Sequence, residues 1–373
     1  MKFTCLQENL NKGLFLVSHI ALKNSYLPIL NNVLIQIKNN TIELITSNLE
    51  IGIKCQIRGK TKEEGKFIIP CQFLVNYIAL LPKQPIEIEI KNSKMFLECD
   101  NQKMQINKIA FAEFPTLPEL KNKIQYNLKI IDFKKALEQI ISAITFNELR
   151  PEISGALLNF NSQPNWLTIA GTDSFQIAEK KISFQENSAD LIKQIIIPFK
   201  TCQELLRILP EEENEIIKIC IDTNQICFSF QNIELISRTI EGKFPDYPQI
   251  IPKEYKTKVL LDVGELIKGI KRQSLFIPNK KREISLKFSS VDQEIIIFSN
   301  SVIGESISKI KGDIKGEDNE IVLDYKYLLN GVQSLKSDKV ILEIFNKKQP
   351  LILKSPMEEK NLFYFIFPLK EKE

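Results

Sequence analysis

Histidine is almost absent from this chain of 373 residues: His19, inside FLVSHIAL, stands alone. A histidine metal cluster therefore has no material, and no Gly-framed nucleophile lies near His19 in sequence. An isolated histidine on a helix reads as a structural or surface residue. Cysteine is present but not organised. Cys5, Cys55, Cys71, Cys99, Cys202, Cys220 and Cys227 make an odd number with no CxxC, mostly inside strand-like apolar runs. Reduced, buried thiols are expected, and a disulfide framework is not. No apolar run reaches the roughly 18 residues of a membrane span, and the start, MKFTCLQENLNK, has no signal-peptide core. The expectation is a cytoplasmic protein with no membrane partner.

Catalytic motifs are missing as well. Gly59-Lys60-Thr61 looks like the tail of a P-loop, but Lys54 stands where its first glycine belongs. The acid run Glu211 to Glu213 follows the helix-ending Pro210, so it reads as a solvated loop and not as a pair for acid-base work. Neither a catalytic residue, a bound metal nor a cofactor is expected.

What the chain does have is repetition. Ile195 to Leu209, IIIPFKTCQELLRIL, is a β-branched run that passes through a proline directly into an apolar-periodic helix. Phe67 to Leu81, FIIPCQFLVNYIALL, repeats it, and Glu320 to Leu335 is a looser third copy. The copies lie about one domain length apart. Each is preceded by an opening strand and helix, at Lys2, Tyr126 and Lys258, and followed by hairpins around KNSK, DTNQ and NKKQ. Phe114 to Leu120, FPTLPEL, and Phe244 to Ile250, FPDYPQI, stand just before lysine-rich linkers, and prolines at that density mark exits from a domain. The organisation predicted is α+β, with three like domains at 1–122, 123–253 and 254–373. Each domain reads twice as strand, helix and several strands.

A net charge of +4 is too small to announce nucleic acid, but its placement is uneven. The six predicted helices, at 8–24, 71–83, 132–145, 199–209, 262–276 and 324–336, carry twelve Lys or Arg against seven Asp or Glu, which leaves the remainder of the chain at −1. Asp132, Asp262 and Asp324 read as helix caps, so they project little field. Basic helices gathered on one side would hold phosphates by counterion release without reading base sequence.

The opening MKFTCLQENLNKGL, then LPILNNVLIQI, TIAGTDSFQIA, EGKFPDYPQIIP and the ending FIFPLK together resemble, in order, the bacterial sliding clamp family, the beta subunit of the replicative DNA polymerase. The resemblance implies the DNA-clamp fold, with two helices of each domain on the inner side and antiparallel sheets outside. It implies a head-to-tail homodimer that encircles duplex DNA as a processivity factor. Twelve helices at about 9 to 10 Å spacing would leave an opening near 26 Å, enough for a duplex and a water layer. The partners implied are duplex DNA, a second copy, the replicative polymerase catalytic subunit, the clamp loader, and repair and translesion polymerases. The competing expectation is a monomeric β-rich scaffold that binds proteins without encircling DNA.

The resemblance also implies sites. A groove for an extended apolar partner peptide would take in Ile153, Thr172, Ser174, Phe175, Gln176, Ile177, Pro245, Gln249, Ile250, Phe365, Phe367, Pro368, Leu369 and Lys370. The family commonly has Gly-His-Arg where Ser174, Phe175 and Gln176 stand, and often a basic residue at Gln249. The tail Glu371, Lys372, Glu373 runs past the family's usual end. Lys23, Arg150, Lys200, Lys280, Lys281 and Arg282 would face DNA. Met104 and Ile106 would meet Phe276 and Ile277 of the other copy.

Overall fold

The computed structural model describes all residues except 22–25, 108–113, 119, 121–123, 185–192, 213–214, 253, 278–281, 303 and 370–373. Element order repeats threefold. The first repeat is β1 (Lys2–Leu6), α1 (Gln7–Ser18), β2 (Asn32–Lys38), β3 (Thr41–Ser47), β4 (Ile51–Ile57), β5 (Gly59–Glu63), β6 (Gly65–Pro70), α2 (Cys71–Ala79), β7 (Pro85–Lys91), β8 (Lys94–Cys99) and β9 (Gln102–Asn107). The second is β10 (Ile124–Lys129), α3 (Ile130–Ile140), β11 (Gly155–Gln163), β12 (Trp166–Thr172), β13 (Gln176–Ser183), β14 (Lys193–Pro198), α4 (Phe199–Ile208), β15 (Ile216–Ile221), β16 (Gln225–Phe230) and β17 (Ile233–Arg238). The third is β18 (Thr257–Asp262), α5 (Val263–Ser274), β19 (Glu283–Ser289), β20 (Glu294–Ser301), β21 (Gly304–Lys311), β22 (Asp313–Gly316), β23 (Asn319–Asp324), α6 (Tyr325–Ser334), β24 (Lys339–Ile344), β25 (Leu351–Lys354) and β26 (Leu362–Ile366).

All six predicted helices are present, but several bounds differ: α2 ends at Ala79 and not at 83, and α3 ends at Ile140 and not at 145, passing into a 3-10 turn at Ile141–Ala143. α1 stops at Ser18 and not at 24, because its apolar stripe ends at Val17; Ile20 and Ala21 are buried in a turn instead. α3 begins at Ile130, directly after β10, so Asp132 lies in the first turn and is not the N-cap. Asp262 and Asp324 do cap, accepting from Glu265 N and Lys326 N. The Asn39-Asn40 turn has φ of 51° and 59°, the left-handed pair that a two-residue hairpin requires. Gly59 to Glu63 is a strand, so the Gly-Lys-Thr run forms no phosphate loop. All seven cysteines are free and buried. Burial pushes the thiols of Cys5, Cys71 and Cys202 up to about 12, which leaves them unreactive at neutral pH.

The chain divides into two compact units. The first holds Met1–Lys129 and Glu212–Thr239, in a five-stranded sheet β5-β1-β7-β8-β9 and an eight-stranded sheet β10-β15-β16-β17-β4-β3-β2-β6. The second holds the helical part of the middle repeat and everything from Ile240. Its sheets are nine-stranded, β14-β11-β12-β13-β26-β25-β24-β18-β22, and four-stranded, β21-β20-β19-β23. All pairings are antiparallel. Two of them join different repeats: β17 to β4, and β13 to β26.

Each large sheet has a helical face and an outer face. On the helical side, Leu44 and Ile57 meet α1 at Gly13, Gly171 meets the end of α3, and Ile297 and Ile310 meet α5 at Gly269. Side chains alternate along a strand, so Ile45, Ala170 and Phe298 point the other way. The outer face of the eight-stranded sheet is covered by Phe114, which packs with Leu34 and Ile45, and by Leu120, which packs with Cys220, Cys227 and Ile236. Phe244 and Tyr247 cover Leu157, Ala170, Ile177 and Ile196 on the nine-stranded sheet in the same way. The Phe-Pro-x-x-Pro phrases are therefore clasps over sheets.

Charge also ties the second unit. Lys180, only 5% exposed, reaches Glu358 at 2.9 Å; Lys135 and Gln139 of α3 bind the same carboxylate at 2.7 and 3.1 Å. Burial pushes the Glu358 pKa up, but these hydrogen bonds reverse that and hold it at about 2. Burial lowers the pKa of Lys180.

Phe114→Ala and Phe244→Ala should each cost about 3 kcal/mol in denaturant unfolding, since both rings are nearly fully buried. Because the folded pKa of Glu358 lies below the ordinary glutamate value of 4.5, its stabilisation, on the order of 2 to 3 kcal/mol, is present above pH 4.5 and fades as pH falls to about 2. Thermal midpoints of the native chain and Glu358→Gln should differ at pH 6 and converge near pH 2.

Candidate functional site

Local chemistry builds a rigid turn between β12 and β13. Asp173 accepts from Phe175 N at 2.9 Å, Gln176 N at 3.1 Å and Gln176 Nε2 at 3.0 Å. Thr172 Oγ1 donates to Gln176 O at 2.7 Å and accepts from Ser174 N at 3.1 Å. The turn forces Ser174 to φ 81°. Gln176 is 2% exposed and structural: its amide donates to Ser142 O, and Tyr364 Oη donates to its Oε1 at 2.6 Å. Burial raises the Asp173 pKa against the pull of its hydrogen bonds, and burial, reinforced by Asp173 and Asp324, pushes Tyr327 up to about 12.

The turn presents one side chain outward. Phe175 is 57% exposed and stacks on Tyr327 of α6, with ring centroids 6.2 Å apart and planes 11° apart. Its carbonyl accepts from Phe367 N at 3.0 Å, which brings the final strand to the turn. Leu369 N then donates to Val322 O on β23. Phe367 packs against the cluster that contains Ile177, Phe244, Tyr247 and Phe365. Buried Tyr247 donates its hydroxyl to Glu179, and Ile250, at the end of the same clasp, is 52% exposed. Gln249, exposed, bonds Asp246.

The residues expected to line a groove thus divide in two. Ile153, Thr172, Gln176, Ile177 and Phe365 are core or floor, while Ser174, Phe175, Pro245, Gln249, Ile250, Phe367, Pro368 and Leu369 keep accessible surface. Lys370 lies outside the described residues. Tyr327 was missed by sequence reasoning. Its signal is its place in the first turn of α6, three residues after the capping Asp324.

The basic residues divide similarly. Arg150 is occupied, with Nε on Glu152 at 3.1 Å and Nη1 donating to Ser174 Oγ at 2.9 Å. Arg282 stands 3.8 Å from Asp324. Lys200 is exposed on α4, and Lys23, Lys280 and Lys281 lie outside the described residues. Lys12, Lys200, Lys268, Lys271, Arg272 and Lys326 are exposed helical cations with no ion pair among the described residues. Met104 and Ile106 are half-buried on β9, at the edge of the five-stranded sheet, and Phe276 and Ile277 are half-buried just past α5. No group of His, Cys, Asp and Glu among the described residues is arranged to hold a metal. No helix among them is long and apolar enough to cross a membrane.

Family models for the DNA polymerase III beta subunit match in order along the chain: the N-terminal domain at 1–118, the central domain at 127–246 and the C-terminal domain at 248–370. The chain belongs to the DNA polymerase III beta subunit family. A beta sliding clamp of Staphylococcus epidermidis is 28% identical over 357 residues, 92% of each chain. A putative DNA polymerase III beta subunit from Eubacterium rectale is 26% identical with a TM-score of 0.90 over 99% of each chain. The Bacillus subtilis DNA polymerase sliding clamp is 23% identical with a TM-score of 0.93 over the whole of both. The fold is accordingly that of the clamp: mixed helix and antiparallel sheet, built from three beta-subunit domains.

Ser174 tests the turn. Ser174→Gly should leave thermal stability nearly unchanged. Ser174→Val should cost about 1 to 2 kcal/mol, because a β-branched side chain is strained at this φ.

Proposed function

We propose that this chain is the processivity factor of a DNA polymerase, a homodimeric sliding clamp that encircles duplex DNA without sequence specificity. It is an accessory subunit with no catalysis of its own. The observation that carries this reading is the family match along essentially the whole chain. A monomeric scaffold that never encircles DNA does not fit that membership. The domains are taken as 1–122, 123–253 and 254–373, and the compartment as the cytoplasm.

Ring closure follows the chain's own grammar. Repeats are joined within the chain by antiparallel edge strands, β4 to β17 and β13 to β26. β9 and β21 are the edges of their sheets. A second copy would pair its β21 with β9, setting Phe276 and Ile277 near Met104 and Ile106, a small apolar patch of the kind that centres an interface. The unpaired helical cations, with Lys23, Lys280, Lys281, Arg282 and Arg150, would meet phosphates loosely, since tight base contacts would obstruct sliding. The polymerase, and by the same route the clamp loader and repair or translesion polymerases, would insert an apolar peptide beside Phe175, Pro245, Ile250 and Phe367. Aromatic surface at Phe175 and Tyr327 favours packing over charge there.

Retention on DNA after loading tests the reading. The chain should stay on nicked circular DNA and run off when that DNA is linearised. Equal retention on both would overturn the encircling ring. Lys280, Lys281 and Arg282 changed together to Glu should weaken the salt-dependent association without changing the thermal midpoint.

A further inference from the structure

The three repeats place the same row of residues on the same outer face, and only two rows are clasped. In the first repeat Leu34 pairs with Ile68 on one side and Ile45 on the other, while Gln36 pairs with Lys66 and Glu43. In the second, Leu157 pairs with Ile196 and Ala170. In the third, Ser285 pairs with Val322 and Phe298, while Lys287 pairs with Glu320 and Ile296. Ile68, Ile196 and Val322 each lie two residues before the strand end that opens a helix.

Phe114 and Leu117 pack over the first row, and Phe244 and Tyr247 over the second. Among the described residues no Phe-Pro-x-x-Pro segment covers the third; only Leu369 reaches it, at Val322, where its N–H donates to the Val322 carbonyl. Phe298 and Val322 are half-buried there, and Ile307, paired with Phe298 on β21, is 59% exposed. Two clefts of about 550 and about 140 Å³ share Lys287, Glu320 and Lys347, the larger reaching Ile296 and the smaller Val322 and Leu369. The cleft of about 1030 Å³ on the first sheet is lined by the counterparts Leu34, Gln36, Glu43, Ile45, Lys66 and Ile68, and there Phe114, Leu117 and Leu120 line it too.

We propose that the outer face of the four-stranded sheet is a docking site for an extended partner-protein segment of the form Phe-Pro-x-x-Pro, with an apolar residue three positions after the Phe. The chain itself states this chemistry twice. A proline-bearing segment is already extended, so little conformational entropy is lost on docking. The Phe ring would lie on Val322 and Phe298, as Phe244 lies with Ile196 and Ala170, and the apolar residue at the fourth position would follow Leu117 and Tyr247. This surface meets the groove at the Phe175 turn only at Leu369, and its outer edge is β21, the strand proposed to close the ring.

The test uses the full-length protein and a fluorescein-labelled peptide with the sequence of residues 243–250, KFPDYPQI, read by fluorescence polarisation. Saturable binding is expected. It should weaken about tenfold or more when the peptide Phe is replaced by Ala, and likewise in Phe298→Glu and, independently, Ile307→Lys. Ile307 is largely exposed and Phe298 half-buried on the outer face, and an unchanged thermal midpoint would show that each variant folds. Phe367→Ala should leave binding as it was. No saturable binding, equal binding by the Ala peptide, or binding insensitive to both sheet variants would overturn the proposal. Loss in Phe367→Ala alone would place the peptide at the Phe175 turn and overturn it as well.

Discussion

An edge strand exposes a row of N–H and C=O groups that water or another strand must satisfy, and this chain is built on that requirement. β4 finds β17 and β13 finds β26, so sheets begun in one repeat continue into the next. Backbone hydrogen bonding is thereby uninterrupted where the sequence changes domain. The central family domain is consequently shared between two compact units, and the limits of a sequence repeat are not limits of compactness. A fused sheet also has an outer face too wide for its own loops to cover. The linkers answer that need, with Phe114 and Phe244 packed on the sheets and each followed by a proline that keeps the segment extended.

Electrostatics does two unrelated jobs. Buried charge is consumed locally, as where Lys180, Lys135 and Glu358 bind the loop before β26 to α3 and β13, or where Glu343, 3% exposed, meets Lys354 at 2.6 Å. Such groups are costly to bury unless paired, and they are paired. Among the exposed helical cations, Lys12, Lys200, Lys268, Lys271, Arg272 and Lys326 have no ion pair among the described residues.

Much of the fold was legible because its signals are periodic and repeated. The proline or aspartate between a β-branched run and a helix marks Pro70, Pro198 and Asp324 as element boundaries, and the hairpins around KNSK, DTNQ and NKKQ follow from their turn residues. The candidate groove was legible as positions but not as roles. Gln176 looks like a polar rim residue, yet three hydrogen-bonding neighbours draw it into the core; Phe175 looks like a core aromatic, yet the strained Ser174 turns it outward onto Tyr327. Arg150 likewise reads as a free loop cation until Glu152 and Ser174 are seen to occupy it.

Composition and pattern determined that the chain has a single histidine and no paired-cysteine motif, and that three similar strand-helix units follow one another, because those properties depend on residue type and on neighbours a few positions away. Which strand edges meet, which linker clasps which sheet, and which cations remain unpaired were decided only in three dimensions. Those outcomes depend on contacts between residues far apart in sequence, such as Ile236 with Gly52 and Glu179 with Phe363, whose register no local period encodes.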